Sequence, residues 1–177
     1  MNIFKFSVIA LGFIFIAFTA CREVEVPSFG CTDIDSPRPN FDVDYYDSTC
    51  VYMYVTEFEI SYFEDKNWDF GVLGVQNADL QLLFGDSNMD TTFFTSLQID
   101  NIEATEVSRW VAHNQFKLKN QQYRWELHNR KGFLSVGETD ELMTSGTLNP
   151  LEFSNDSVIV VTDSTLRTQL KIRYDIR

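Results

Sequence analysis

Histidine is nearly absent from this chain of 177 residues, with only His113 and His128. The sequence also lacks HExxH, Gly-x-Ser-x-Gly, a glycine-rich phosphate loop and CxxC, so no motif-bearing catalytic chemistry is expected. Positive charge is scarce: 14 Lys and Arg stand against 26 Asp and Glu, a net charge of −12. Residues 1–20 hold Lys5 as their one charge, which leaves −13 on the remainder. So acidic a surface argues against nucleic acid and against anionic lipid as partners, while suiting divalent cations or plain solvation. The apolar run from Phe6 to Phe18, broken by Ser7 and Gly12, lacks the length to cross a membrane. As a helix it reaches about 20 Å at 1.5 Å per residue, short of the roughly 30 Å hydrocarbon layer. A sustained helical period is missing as well. Cysteine is sparse, with three residues, an odd number that needs explaining in an exported protein.

What is present begins with an address. Lys5, the short apolar middle and the small Thr19 and Ala20 form a signal-peptide pattern over residues 1–20. An uncleaved membrane-anchoring helix is the competing reading. Phe18-Thr19-Ala20-Cys21 resembles the lipobox of bacterial lipoproteins, although that family prefers Leu where Phe18 stands; looser forms are common in Bacteroidetes-type bacteria. The resemblance implies that Cys21 is the acylated first residue of the mature protein, a palmitate-type lipid anchor in the cell envelope, on the outer membrane. Each buried methylene adds about 0.8 kcal/mol to such an anchor. With Cys21 on lipid, Cys31 and Cys50 remain as a disulfide pair in an oxidising compartment.

Residues 21–30 then read as a charged tether, and residues 31–50 as an Asp-rich segment that Pro37 and Pro39 keep out of regular structure. From residue 51 the pattern changes to a period of two. Thr56, Phe58, Ile60 and Tyr62 alternate with Val55, Glu57, Glu59 and Ser61; Phe116 and Leu118 alternate with two lysines. Tyr123, Trp125 and Leu127 alternate with Arg124, Glu126 and His128; Leu170, Ile172, Tyr174 and Ile176 alternate with charged residues. Strands with one buried and one wet face are antiparallel. Further strands are expected at 79–84, 91–99, 107–112, 147–153 and 157–161. About eight short strands with many aromatic residues give an all-β fold, an antiparallel two-sheet β-sandwich over residues 51–177.

Gly30-Cys31-Thr32-Asp33 through Asp47-Ser48-Thr49-Cys50 resembles a short module of exported Bacteroidetes proteins, often compared with thrombospondin type-three calcium repeats. The cysteine spacing is shared, and Val51-Tyr52 follow as in that module. Ile34 replaces its Pro, Asn40-Phe41 comes two places late, and Tyr46 and Ser48 replace an Asp and the Gly. Asp33, Asp35, Asp42, Asp44 and Asp47 crowd one closed loop, and Ca²⁺ takes six to eight hard oxygen ligands in irregular geometry. The segment is not an EF-hand, lacking the required Gly and terminal Glu. A solvated acidic linker is the alternative to a structural calcium site.

Residues 51–177 also resemble a C-two domain, the β-sandwich family that binds calcium and phospholipid. Phe58-Glu59-Ile60 leads to Trp68-Asp69-Phe70 and then to Ala78-Asp79-Leu80; Trp110 precedes Phe116-Lys117-Leu118; Trp125-Glu126-Leu127 enters a loop ending at Asp140-Glu141. The resemblance implies a calcium site of Asp69, Asp79 and Asp140 at one end of the sandwich. His128 and Asn129 stand where that family pairs two Asp, with Arg130 and Lys131 next, so the site is expected to be weakened or lost.

The expected function is therefore a non-enzymatic, envelope-anchored lipoprotein whose sandwich binds an envelope or extracellular partner or serves a structural role. Its contact surface is expected in the loops 65–78 and 129–140, where Phe70, Val72, Leu73, Phe133 and Leu134 either meet a partner or tuck under the sandwich. The alternatives are a calcium-dependent phospholipid-binding module and a hydrolase of surface polymers. For the hydrolase, Glu57 and Glu59 share a strand face, and Glu138, Asp140 and Glu141 share a loop. His128, on the polar face of its strand, is expected to be exposed.

Overall fold

The computed structural model describes residues 26–71, 74–131, 140–153 and 158–177, with the backbone alone at 69–71 and 74–76. The export segment and Cys21 lie outside the described residues. The described residues open with two short strands, β1 (Phe29–Gly30) and β2 (Tyr45–Tyr46), which pair in parallel. The strands β3 (Met53–Tyr62), β4 (Asp69–Gly71), β5 (Gly74–Gln76), β6 (Ala78–Asp86), β7 (Thr92–Thr95), β8 (Ile99–Ile102) and β9 (Ser108–Val111) follow. The remainder is β10 (Tyr123–Asn129), β11 (Glu141–Leu148), a 3₁₀ turn at Pro150–Phe153, β12 (Val158–Thr162) and β13 (Gln169–Ile176). One sheet orders β11-β10-β6-β7, with β8 also on β6; the other orders β12-β13-β3-β9. All pairings in both sheets are antiparallel. The fold is the expected all-β two-sheet sandwich.

Period-two patterning explains most of it. In β10, Tyr123, Trp125, Leu127 and Asn129 are buried while Arg124, Glu126 and His128 face outward. In β13, Leu170, Ile172 and Tyr174 enter the core. Between the sheets Phe58 stacks on Phe94 with ring centroids 4.5 Å apart, and Phe84 lies 5.2 Å away. Full burial of one such side chain contributes about 1.5–3 kcal/mol. Trp125 lies opposite Gly146 of β11, and a Cβ at 146 would stand 2.6 Å from the indole nitrogen. Only glycine leaves room for that ring.

Several expected details are corrected. Val55 is fully buried, not outward-facing, because Glu57 pairs with Arg173 and Val55 with Tyr174, which leaves Thr56 as the extra residue of a bulge. A second bulge at Ser61 turns Phe63 inward. An inserted residue reverses the facing of all that follows, so β3 keeps Met53, Val55, Phe58 and Ile60 all in the core. The strand expected at 147–153 is instead the end of β11 and the 3₁₀ turn, since Pro150 has no N–H to give a ladder. The stretch 91–99 divides into β7 and the start of β8, where Ser96 turns its side chain onto the Leu82 N–H. Phe116–Leu118 makes a single bridge, Tyr54 to Lys117. Glu59 is not a solvent-facing charge: it is 2% exposed beneath Arg109, Lys171 and Arg173. His128 is half-buried against Glu126, at 3.0 Å.

Candidate functional site: the two ends of the sandwich

At one end sits the Asp-rich segment. Cys31 and Cys50 form the expected disulfide, with Cα atoms 4.7 Å apart and a sequence separation of 19. A closure of that length stabilises by roughly 3 kcal/mol in the chain-entropy account. The five aspartates do not converge. Asp33 accepts the Asp35 N–H at 2.9 Å and the Tyr52 hydroxyl at 2.7 Å. Asp35 accepts the Asn120 N–H at 2.9 Å and lies 3.7 Å from the Lys117 ammonium. Asp44 accepts the Ser28 N–H and hydroxyl, and Asp47 the Thr49 N–H. Asp42 donates its own N–H to Asn40. Among the described residues no group of three or more His, Cys, Asp or Glu gathers to hold a metal. As arranged, this donor set does not fit a calcium ion.

Two of these aspartates instead fasten the segment to the sandwich. The Lys117 ammonium stands 3.7 Å above the Tyr52 ring, and Tyr52 and Arg177 exchange backbone hydrogen bonds. The bond to Asp33, with some burial, pushes the Tyr52 phenol up to about 12. The Asp35 N–H and the Tyr52 hydroxyl hold Asp33 below the usual carboxylate range.

The opposite end of the strands is built around Trp68, which is buried. Its indole N–H donates to the Glu64 carbonyl, and its own carbonyl accepts Asn129 Nδ2 at 3.1 Å and Lys131 Nζ at 2.9 Å. Lys66 lies 3.6 Å above the ring and 3.3 Å from Glu141. Asn129, fully buried at the end of β10, accepts the Asp79 N–H. Asp79 and Asp140 both lie at this end, and both carboxylates are bound by groups of the chain itself. Asp79 accepts the Asn101 N–H at 2.8 Å and Gln98 Nε2 at 3.3 Å; Asp140 takes Arg130 at 2.5 Å and the Lys131 N–H at 3.2 Å. With the Arg130 guanidinium on Asp140 and both Asp79 oxygens already accepting hydrogen bonds, the described donors do not fit a calcium ion here either. The side chains of Asp69 and Phe70, and all of Val72, Leu73, Phe133, Leu134 and Glu138, lie outside the described residues.

A third feature was missed in the sequence. A groove of about 420 Å³ runs between β7 and β9, the last strands of the two sheet orders, lined by residues 93–97, 109–111, 113 and 114. The Trp110 indole crosses it to the Leu97 carbonyl at 2.8 Å. Phe93-Phe94, two rings in succession where one face should be polar, was the signal in the sequence. On the outer face, Glu59 also accepts from Ser61. Burial raises its pKa, but hydrogen bonds from Lys171, Ser61 and Arg109 outweigh that and hold it at about 2.

No family model and no curated protein matches the sequence. Among solved structures, the chain is similar to a C2 domain at 10% identity and a TM-score of 0.42, over 71% of this chain and 97% of that one. It is similar to the second C2 domain of BON1 at 13% identity and a TM-score of 0.46, over 72% of this chain and 92% of that one. A third match is the calcium-bound pair of C2 domains of extended-synaptotagmin 2, at 14% identity and a TM-score of 0.39. It covers 67% of this chain, which spans 45% of that one. Likenesses this distant assign no role to any residue of this chain.

Proposed function

We propose that this chain is an exported, non-enzymatic lipoprotein, anchored through Cys21 to the bacterial envelope and displaying its sandwich to an envelope or extracellular partner. The Cys31–Cys50 disulfide carries the reading, because it suits an oxidising compartment and leaves Cys21 as the one remaining thiol, directly after a signal-like run. Fastened by Asp33 and Asp35, the closed segment acts as a stiff mount for the sandwich. The surfaces offered are the loop end around Trp68 and the groove beside Trp110. Intact mass of the native protein tests the anchor: a chain starting at Cys21, carrying diacylglycerol and acyl mass and two hydrogens short, is expected. An uncut chain with three free thiols would overturn it.

The competing reading is a calcium-dependent phospholipid-binding module, favoured by Asp79 and Asp140 lying at one end. Arg130 and Lys131 tell against it. Sedimentation with vesicles should be the same in calcium and in EDTA; calcium-dependent binding that disappears with Asp69→Asn would reverse the choice.

A further inference from the structure

Exposed aromatic rings are not spread evenly over the molecule. Among the described residues five are exposed, and four of them, Phe29, Phe41, Tyr45 and Tyr46, lie between residues 29 and 46. Phe29 and Tyr45 occupy paired positions of β1 and β2 and stack outward, centroids 5.5 Å apart, each 58% exposed. Val26, beside them in sequence, is 82% exposed. The disulfide leaves this small segment little core of its own, yet the stacked pair is held in one orientation. The Asp44 carboxylate binds Ser28, and the Asp44 and Tyr45 N–H groups both reach the Ser28 carbonyl.

We infer that the stacked Phe29–Tyr45 face rests in the headgroup layer of the membrane that holds Cys21, with an electrically neutral, zwitterionic lipid surface as its partner. This rests on the proposed acylation of Cys21. Val26 follows that cysteine by five residues and Phe29 by eight, so even a fully extended tether keeps them within roughly 18 Å and roughly 29 Å of the lipid. Aromatic rings with one wet end favour the interface. So short a tether raises their effective concentration there to the order of millimolar, and a weak contact suffices. Charge selects the lipid: residues 31–50 hold five Asp against one Arg, which an anionic surface repels.

The test uses the full-length, natively processed protein in phosphatidylcholine vesicles, with Tyr45→Trp as the reporter. Trp68, Trp110 and Trp125 are buried in the sandwich and supply the background of the parent protein. Lipids brominated near the headgroup should quench the added emission and leave the parent unchanged. Leu97→Trp, at a position 84% exposed on the sandwich, should not be quenched. Replacing part of the lipid by phosphatidylglycerol at low salt should lower the quenching, and added salt should restore it. Acylated, vesicle-bound protein whose residue-45 emission is no more quenched than that at 97 overturns the docking and leaves the anchor standing. Quenching undiminished by phosphatidylglycerol overturns the choice of lipid. Protein without acyl mass overturns the anchor, and the docking falls with it.

Discussion

Glu59 and Glu57 look alike in the sequence, two carboxylates on one face of one strand. The fold separates them: Glu59 disappears beneath Arg109, Lys171 and Arg173, drawn from two neighbouring strands, while Glu57 pairs, among the described residues, with Arg173 alone. With its carboxyl held at about 2, against an ordinary value of 4.5, Glu59 stabilises the fold fully above about pH 4.5. That contribution disappears as pH falls from there towards 2. Asp163, also lowered although burial opposes it, acts in the same direction through Thr144, Thr165 and the N–H groups of Arg167 and Thr168. Urea unfolding at pH 6 and pH 3 should show a drop in stability that Glu59→Gln reduces, at a cost of roughly 2 kcal/mol at pH 6. An equal acid drop in the variant would contradict this account. Gly146 gives a second residue-scale expectation. Gly146→Val drives a side chain into Trp125 and should lower stability by about 1–3 kcal/mol in chemical denaturation.

Strands such as β10 and β13 were legible because their alternation runs unbroken, and burial follows it residue by residue. β3 was legible as a strand but not in its facing, since nothing local announces that Thr56 and Ser61 are extra residues; β13, whose pairing skips them, lies more than a hundred residues away. The disulfide was readable from the cysteine count, whereas the use of its aspartates was not. Asp33 and Asp35 look like metal ligands until Tyr52, Lys117 and Asn120 arrive from the sandwich. Replacing both with Asn should therefore loosen the mount without unfolding the sandwich. Limited proteolysis between residues 47 and 52 should accelerate several-fold while the main thermal transition holds its position. An unchanged cleavage rate would mean that those contacts do not fasten the segment.

At the scale of the whole molecule, β3 carries the chain away from the disulfide-closed segment at Met53 to the Trp68 end beyond Tyr62, about 33 Å over its ten residues. β13 returns along it, so Arg177 finishes beside Tyr52. At the far end, the turn from Asp163 to Thr168 joins β12 to β13 close to Glu64. That polarity governs where foreign sequence can be attached. A reporter fused after Arg177 would press on Tyr52 and the cysteine loop. An epitope inserted at Leu166, 71% exposed, would instead project from the opposite end of the strands, clear of Tyr52 and the cysteine loop.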